Sequence, residues 1–405
     1  MSFLLSFVPR THRKLRLVII SFLLIVVCFF NFGCYNGEIF YLYDLPKPYG
    51  RHIIGTTKFD WVHTNFENIF NKESNEKRRI MVQFWYPGQI NEKLDPYLYS
   101  KDSIVVKALI KEYNISPKLL KKTERIRTNS YYDLAPETNN DQYPLVIFSH
   151  GKGGYAKQNT VQFEELVSNG YIVASIEHSY DALITLFSDG STAPYVSDNP
   201  KKVGGKINSD KITHDKLISR VADVRCLLDK VWLGKDYHPI FGMIDTAKVG
   251  MFGHSFGVAT TIISSQEDSR IKAIAGLDGW FEPISKDNLD KGLQVSFLHL
   301  GQKQWLFNPT NYKNMDVLSK NSLVPIDHYP IKRVQHFDFM DGSQLASNSI
   351  KLFVPHLSTA NRYHIKSMIN NMLLAFFNTE LKRIPSPNSK EIANKFKMII
   401  QTSKE

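Results

Sequence analysis

The chain has 405 residues, 43% hydrophobic and 22% charged, proportions of a globular protein that exclude a fibrous or wholly disordered one. Its formal charge of +11 admits an anionic membrane or nucleic acid as partner without choosing between them. Three cysteines are too few for a disulfide framework, and no CxxC or clustered His/Cys spacing points to a metal.

Arg10, Arg13, Lys14 and Arg16 precede the charge-free run Leu17 to Phe30. That run suits a signal h-region and falls short of the roughly 20 residues a spanning helix needs. Basic residues before it and none immediately after it send the body across the membrane. Residues 1–34 are therefore expected to be a signal peptide or a retained membrane anchor, leaving the protein exported, either secreted or membrane-anchored. Lipidation at Cys34 after Gly33 is an alternative that Asn31 and Phe32 suit poorly; a buried core helix is another. Four of the positive charges lie here, and the rest are spread without a basic run interleaved with aromatics, so nucleic acid is not expected.

The run Arg79 to Pro87 reads as a strand, and residues 88–142 are mixed and polar. Strand-like apolar runs then recur at Leu145 to Ser149, Tyr171 to Ile176, Val249 to Phe252, Ile271 to Leu277, Val295 to Leu300 and Tyr329 to Val334. Helical periodicity separates them, at Thr160 to Asn169, at Thr213 to Trp232 with Leu217, Val221, Val224 and Leu228 on one face, and at Tyr363 to Phe377. Continuous apolar strands alternating with helices predict a mostly parallel sheet covered on both faces. Residues 181–210 carry few apolar residues and no period, as expected of a lid-like insertion. One domain over 45–378 and a polar C-terminal tail over 379–405 complete the organisation, with Cys226 a buried small apolar residue.

The sharpest local pattern is Gly253-His254-Ser255-Phe256-Gly257. It follows a strand and precedes the helix-compatible Val258 to Ser265, the setting in which a strand-to-helix turn presents a serine nucleophile. The bland alternative is a glycine-rich turn whose serine only caps the helix. A serine needs a base to take its proton and a third group to orient that base. In chain order acid follows serine and histidine follows acid. Asp278 ends the strand Ile271 to Leu277, at the strand edge where ligands bind in open α/β sheets, and His336 follows the strand Tyr329 to Val334. Ser255, Asp278 and His336 are thus expected to converge.

Asp316 is the rival acid, although it lies 16 residues beyond Leu300. Of the other histidines, His328 is expected to precede its strand, His299 to lie within its own, and His254 to pack beneath the turn. His178 and Asp181 end an earlier strand and are candidates to line the site. Oxyanion donors are the remaining need. One is the backbone N–H of Phe256; the other is sought in His150-Gly151-Lys152-Gly153-Gly154, where glycines let the main chain bend toward substrate.

These segments resemble the platelet-activating factor acetylhydrolase family, in its plasma and intracellular type II branch. The resemblance rests on Tyr143 to Gly151, Gly170 to His178, Gly253 to Gly257 with Ala259 and Thr260, Gly276 to Trp280, and Val334 to Phe339, and runs from about Pro48 to Phe377. It implies an α/β-hydrolase fold and calcium-independent cleavage of short or oxidised sn-2 acyl groups from phospholipids. It further implies Ser255 as nucleophile, Asp278 and His336 as partners, and Lys152 and Phe256 as oxyanion donors, with His150, Gly151, His178 and Trp280 near the site. No cofactor is implied, and membrane contact is expected through the substrate. Val258 stands where the family usually has glycine, and Lys152 where it has an apolar residue. The alternatives are an esterase acting on soluble or polymeric esters, dienelactone-hydrolase-like or cutinase-like, and a membrane-tethered binding protein on an inactive hydrolase scaffold.

Overall fold

In the computed structural model, the described residues are 41–400 without 71–76, 91–93, 100–103, 106, 109–121, 139–140, 199–208, 235–236, 306–307, 309, 353 and 355. The N-terminal segment read as a signal or anchor lies outside them. Eleven strands are described: β1 (Ile53–Glu67), β2 (Lys77–Gly88), β3 (Ser130–Tyr132), β4 (Tyr143–Ser149), β5 (Ile172–Glu177), β6 (Ile184–Leu186), β7 (Thr192–Pro194), β8 (Ile244–His254), β9 (Ile271–Leu277), β10 (Ser296–Gln302) and β11 (Ile326–Ile331). The longer helices are α1 (Thr160–Ser168), α2 (Ser209–Leu233), α3 (Phe256–Glu267), α4 (Asn311–Asn321) and α5 (Arg362–Lys382).

Nine strands form one sheet in the order β11-β10-β9-β8-β4-β5-β2-β1-β3. Within it β2 pairs antiparallel with both neighbours, while the other pairings are parallel. The apolar runs explain why two faces need covering. Side chains alternate along a strand: Leu145 and Ile147 of β4 enter one core with Leu217, Val224 and Leu228 of α2 and Ile262 of α3. Val146 and Phe148 enter the other with Phe163 of α1 and Met368, Ile369 and Phe376 of α5. Each such side chain, fully buried, contributes roughly 1.5–3 kcal/mol.

The order of β4, β5 and β8 positions the site. From β4 the chain moves outward to β5, then returns through α2 to lay β8 on the opposite side of β4. The carboxyl ends of β4 and β8 therefore flank the point where strand order reverses, where ligands bind in such sheets.

Three features differ from the sequence expectation. The last strand spans Ile326–Ile331, earlier than Tyr329 to Val334, so His328 lies inside it, where its Nδ1 is 2.9 Å from that of His299. Residues after Asn378 do not leave the domain: α5 runs on to Lys382, and Ile392, Ala393 and Ile399 are buried in the second core. Of the insertion 181–210, β6 and β7 pair as a small hairpin, and 199–208 lie outside the described residues. Among those described, no helix is long and apolar enough to cross a membrane.

Candidate active site

Ser255 joins β8 to α3 with φ 55° and ψ −117°, a left-handed backbone that costs a non-glycine residue about 1–3 kcal/mol. The flanking glycines make the turn possible. A Cβ on Gly257 would lie 1.9 Å from the Ser149 carbonyl oxygen, and one on Gly253 would lie 2.3 Å from the Gly257 carbonyl carbon. Backbone bonds from Ser255 N to Leu277 O (3.0 Å) and from Trp280 N to Ser255 O (3.0 Å) tie the turn to the end of β9. The Ser255 hydroxyl makes no capping bond to α3, so the helix-cap role is not the one it fills.

Asp278 follows β9, also at positive φ (47°), and is fully buried. Its Oδ2 lies 2.6 Å from His336 Nδ1 and accepts from Gln302 Nε2 (2.9 Å), while Oδ1 accepts from Gln302 N (2.9 Å) and Trp305 Nε1 (3.1 Å). Burial alone would raise the Asp278 pKa, but the hydrogen bond and charge of His336, with the Gln302 N–H, prevail and hold it below the usual carboxylate range. His336 begins a short 3₁₀ turn, His336–Phe339, closed by Asp338 accepting from Gln335 N (2.8 Å). Its ring lies 4.6 Å from the His254 ring and 5.0 Å from that of Trp305.

His254 packs beside this pair. Its Nε2 is 3.1 Å from the His336 carbonyl oxygen and its Nδ1 is 3.1 Å from Gln158 Nε2. Burial, then the neighbouring His336, pushes its pKa down to about 3, so it is a neutral support at physiological pH. Val258 fills the space around the Asp278 turn: a Cβ on Gly276 or Gly279 would come within 3.0 or 2.8 Å of its Cγ1. Asp316 is exposed on α4 and has no part in this cluster.

The loop after β4 passes close to the serine, since a Cβ on Gly151 would lie 3.4 Å from Ser255 Cβ. Lys152 extends its side chain to an ion pair with Asp198 and lies 5.1 Å from the Trp280 ring centre. Two residues expected to line the site, His150 and His178, have their side chains packed into the interior instead. His150 is fully buried with Nε2 accepting from His178 N (3.2 Å), and His178 is fully buried between Ser149 Oγ (2.9 Å) and Asp223 Oδ2 (2.9 Å). Asp181 is buried in ion pairs with Arg220 and Lys216. Sequence reasoning missed Gln302, Trp305, Gln158 and Arg220; of these only Gln302 carried a signal, its place at the end of a parallel strand.

His336 and Trp280 open onto a cavity of about 1530 Å³, walled further by Trp305 and Phe337 and bordered by Lys303, Lys332 and Arg333. Among the described residues no His, Cys, Asp and Glu group is arranged to hold a metal ion.

A sheet of this order, with a serine held at positive φ at its switch point, is the architecture of the α/β-hydrolases. The chain belongs to the family described as platelet-activating factor acetylhydrolase, isoform II, whose model matches residues 43–384. It is 26% identical over 262 residues to the platelet-activating factor acetylhydrolase of Cavia porcellus, 60% of this chain and 57% of that one. Against the Gallus gallus protein of the same name it is 23% identical over 271 residues, 60% and 63%. The Canis lupus familiaris protein gives 24% over 294 residues, 67% and 62%. The matches thus span about three fifths of these relatives. Among solved structures, a ferulic acid esterase from Streptomyces cinnamoneus superposes with a TM-score of 0.70 at 23% identity, covering 85% of this chain and 95% of that one.

Proposed function

We propose that this protein is a serine ester hydrolase that removes short or oxidised sn-2 acyl groups from phospholipids. The hydrogen bond of 2.6 Å between His336 Nδ1 and Asp278 Oδ2 carries the reading. A carboxylate held ionised there keeps the proton on Nδ1 and leaves Nε2 as the base. In the proposed reaction His336 Nε2 takes the Ser255 hydroxyl proton as Oγ attacks the ester carbonyl. The resulting oxyanion is met by the backbone N–H groups of Phe256 and Lys152. Collapse passes the proton from His336 to the leaving lysophospholipid oxygen and leaves an acyl-serine. Water, deprotonated by His336, attacks that ester, and the carboxylic acid departs with Ser255 restored.

Membership of the family supports the phospholipid assignment, as does a large cavity with aromatic walls and a basic border suited to a glycerophospholipid's phosphate. The Leu17 to Phe30 run behind four basic residues supports export to a membrane-facing compartment. The likeness to a ferulic acid esterase favours a second reading, an esterase of soluble esters.

Full-length protein in detergent micelles should hydrolyse 4-nitrophenyl acetate and butyrate, with Ser255→Ala reducing the rate to background. A Ser255→Ala enzyme at the wild-type rate refutes the nucleophile. Across an acyl-length series, 2-acetyl and 2-butyryl phosphatidylcholines should be preferred to long-chain ones. Turnover of soluble esters with no phospholipid cleaved would establish the second reading.

A further inference from the structure

Arg220 sits within α2 among the apolar positions Leu217, Val221 and Val224, and its side chain is wholly buried. A guanidinium in such a place needs acceptors for its fan of donors. Its Nε donates to Asp181 Oδ2 (2.5 Å), Nη1 to the His150 carbonyl (2.6 Å) and Ser149 Oγ (3.2 Å), and Nη2 to the Gly151 carbonyl (3.1 Å). Apart from Asp181, every acceptor belongs to the last residue of β4 or to the loop after it that approaches Ser255. The same guanidinium lies 4.7 Å over the ring of Phe256.

The Gly151 carbonyl and the Lys152 N–H are two ends of one peptide unit. In a trans peptide they point in opposite directions, so fixing the oxygen aims the hydrogen. Two further donors reach that oxygen, Gly154 N at 2.9 Å and His150 Nδ1 at 2.7 Å. Because His150 Nε2 already accepts from His178 N, Nδ1 is the protonated nitrogen and donates. The guanidinium is oriented in turn by Asp181, which Lys216 holds from its far side at 3.0 Å.

We infer that Arg220 is the positioning residue of the oxyanion hole, aiming the Lys152 N–H through the Gly151 carbonyl and bracing Phe256, which carries the second donor. This inference rests on the serine hydrolase reading above. A charge needed only for the stability of the fold would be satisfied by Asp181 in a two-pronged pair. Here instead two of the three guanidinium nitrogens hold the loop, in a dry setting where a fixed donor direction acts most strongly on developing charge.

The test compares full-length wild type with Arg220→Lys, whose single ammonium keeps the charge beside Asp181 but cannot grip both carbonyls. Rates are measured on 4-nitrophenyl acetate and its thionoester, whose sulfur accepts hydrogen bonds poorly. The expected result is a kcat lowered about 10²-fold, KM changed less than threefold, and a preference for ester over thionoester narrowed at least tenfold. Lost stability alone would not alter that preference. If Arg220→Lys does not fold, Asp181→Asn, which retains the guanidinium but removes the charge that orients it, is expected to narrow the same preference severalfold. A wild-type kcat, or a lowered kcat with unchanged preference, overturns the inference. Ser255→Ala run alongside separates the two claims: activity in that variant removes the serine hydrolase reading itself, whereas an inert Ser255→Ala beside an unaltered preference removes only the role of Arg220.

Discussion

His336 and Asp278 lie 58 positions apart in the chain, yet Nδ1 of the one is 2.6 Å from Oδ2 of the other. Each comes from the carboxyl side of a parallel strand, Asp278 directly after β9 and His336 a short turn beyond β11. Gln302, at the end of the intervening β10, donates from its backbone and side chain to the same carboxylate. Three strand ends thus contribute to one charge, and the sheet rather than any local motif makes the pairing.

Asp278→Asn is expected to lower kcat on 4-nitrophenyl butyrate by about 10⁴-fold, because the amide reverses the tautomer that leaves Nε2 free. Asp316→Asn, on the exposed face of α4, should leave kcat within twofold of wild type. A large loss at 316 with little at 278 would transfer the acid's role, so steady-state kinetics on the two variants decides it.

Gly257→Ala should be far more damaging than its size suggests. The added carbon would meet the Ser149 carbonyl oxygen at 1.9 Å, backbone that neither β4 nor α3 can move without opening the central pairing. A loss of about 3 kcal/mol is expected, read from the midpoint of guanidinium unfolding. Gly242→Ala is the matched control, since nothing lies within 4 Å of its added carbon, and it should unfold close to wild type. Equal midpoints for the two variants would contradict the close approach at the turn.

What the sequence carries and what it hides follows from how local each cause is. β9 occupies the expected Ile271 to Leu277 because a short apolar run ending in Asp278 and Gly279 has few other ways to fold. The Gly253 to Gly257 turn is similarly local, its glycines required by contacts within a few residues and with β4. β11 starts earlier than its apolar run because it takes its register from β10, where Phe297 pairs with Ile326, and this draws His328 inside. Arg220 and Asp223 are invisible to a periodicity argument: charged residues on a helix normally face water, and their partners Asp181 and Arg78 lie 39 and 145 positions away. The contribution of residues 379–400 is equally nonlocal, since a mostly polar stretch supplies Leu381, Ile392, Ala393 and Ile399 to an existing core, with Phe396 and Met398 packed against it.

Mild acid should destabilise the fold through its buried histidines. His150, His178, His254 and His299 are buried, and burial pushes all four pKa values down. Arg220 adds to this at His150 and His178, His336 at His254, and His328 at His299. For His178 the result is about 4 and for His254 about 3. In the unfolded chain these groups titrate near 6.5, so below that pH the unfolded state binds more protons and stability falls with pH. Their contribution is intact above 6.5 and lost as pH drops toward the folded values. Between pH 6.5 and 5 the loss reaches about 2 kcal/mol for His178 and for His254. Glu164, raised to about 7 by burial despite hydrogen bonds from Asn129 and Ser130, acts in the opposite sense, as does the buried Asp341. Protonation of those two favours the fold as pH falls toward the ordinary carboxylate range. His328, its pKa lowered by burial to about 4, joins the histidines, and Asp338, raised by burial, joins the acids; the more numerous histidines leave a net loss. The guanidinium unfolding midpoint should therefore be clearly lower at pH 5 than at pH 7, and a midpoint unchanged or higher at pH 5 would show that the buried imidazoles do not stay neutral in the folded protein.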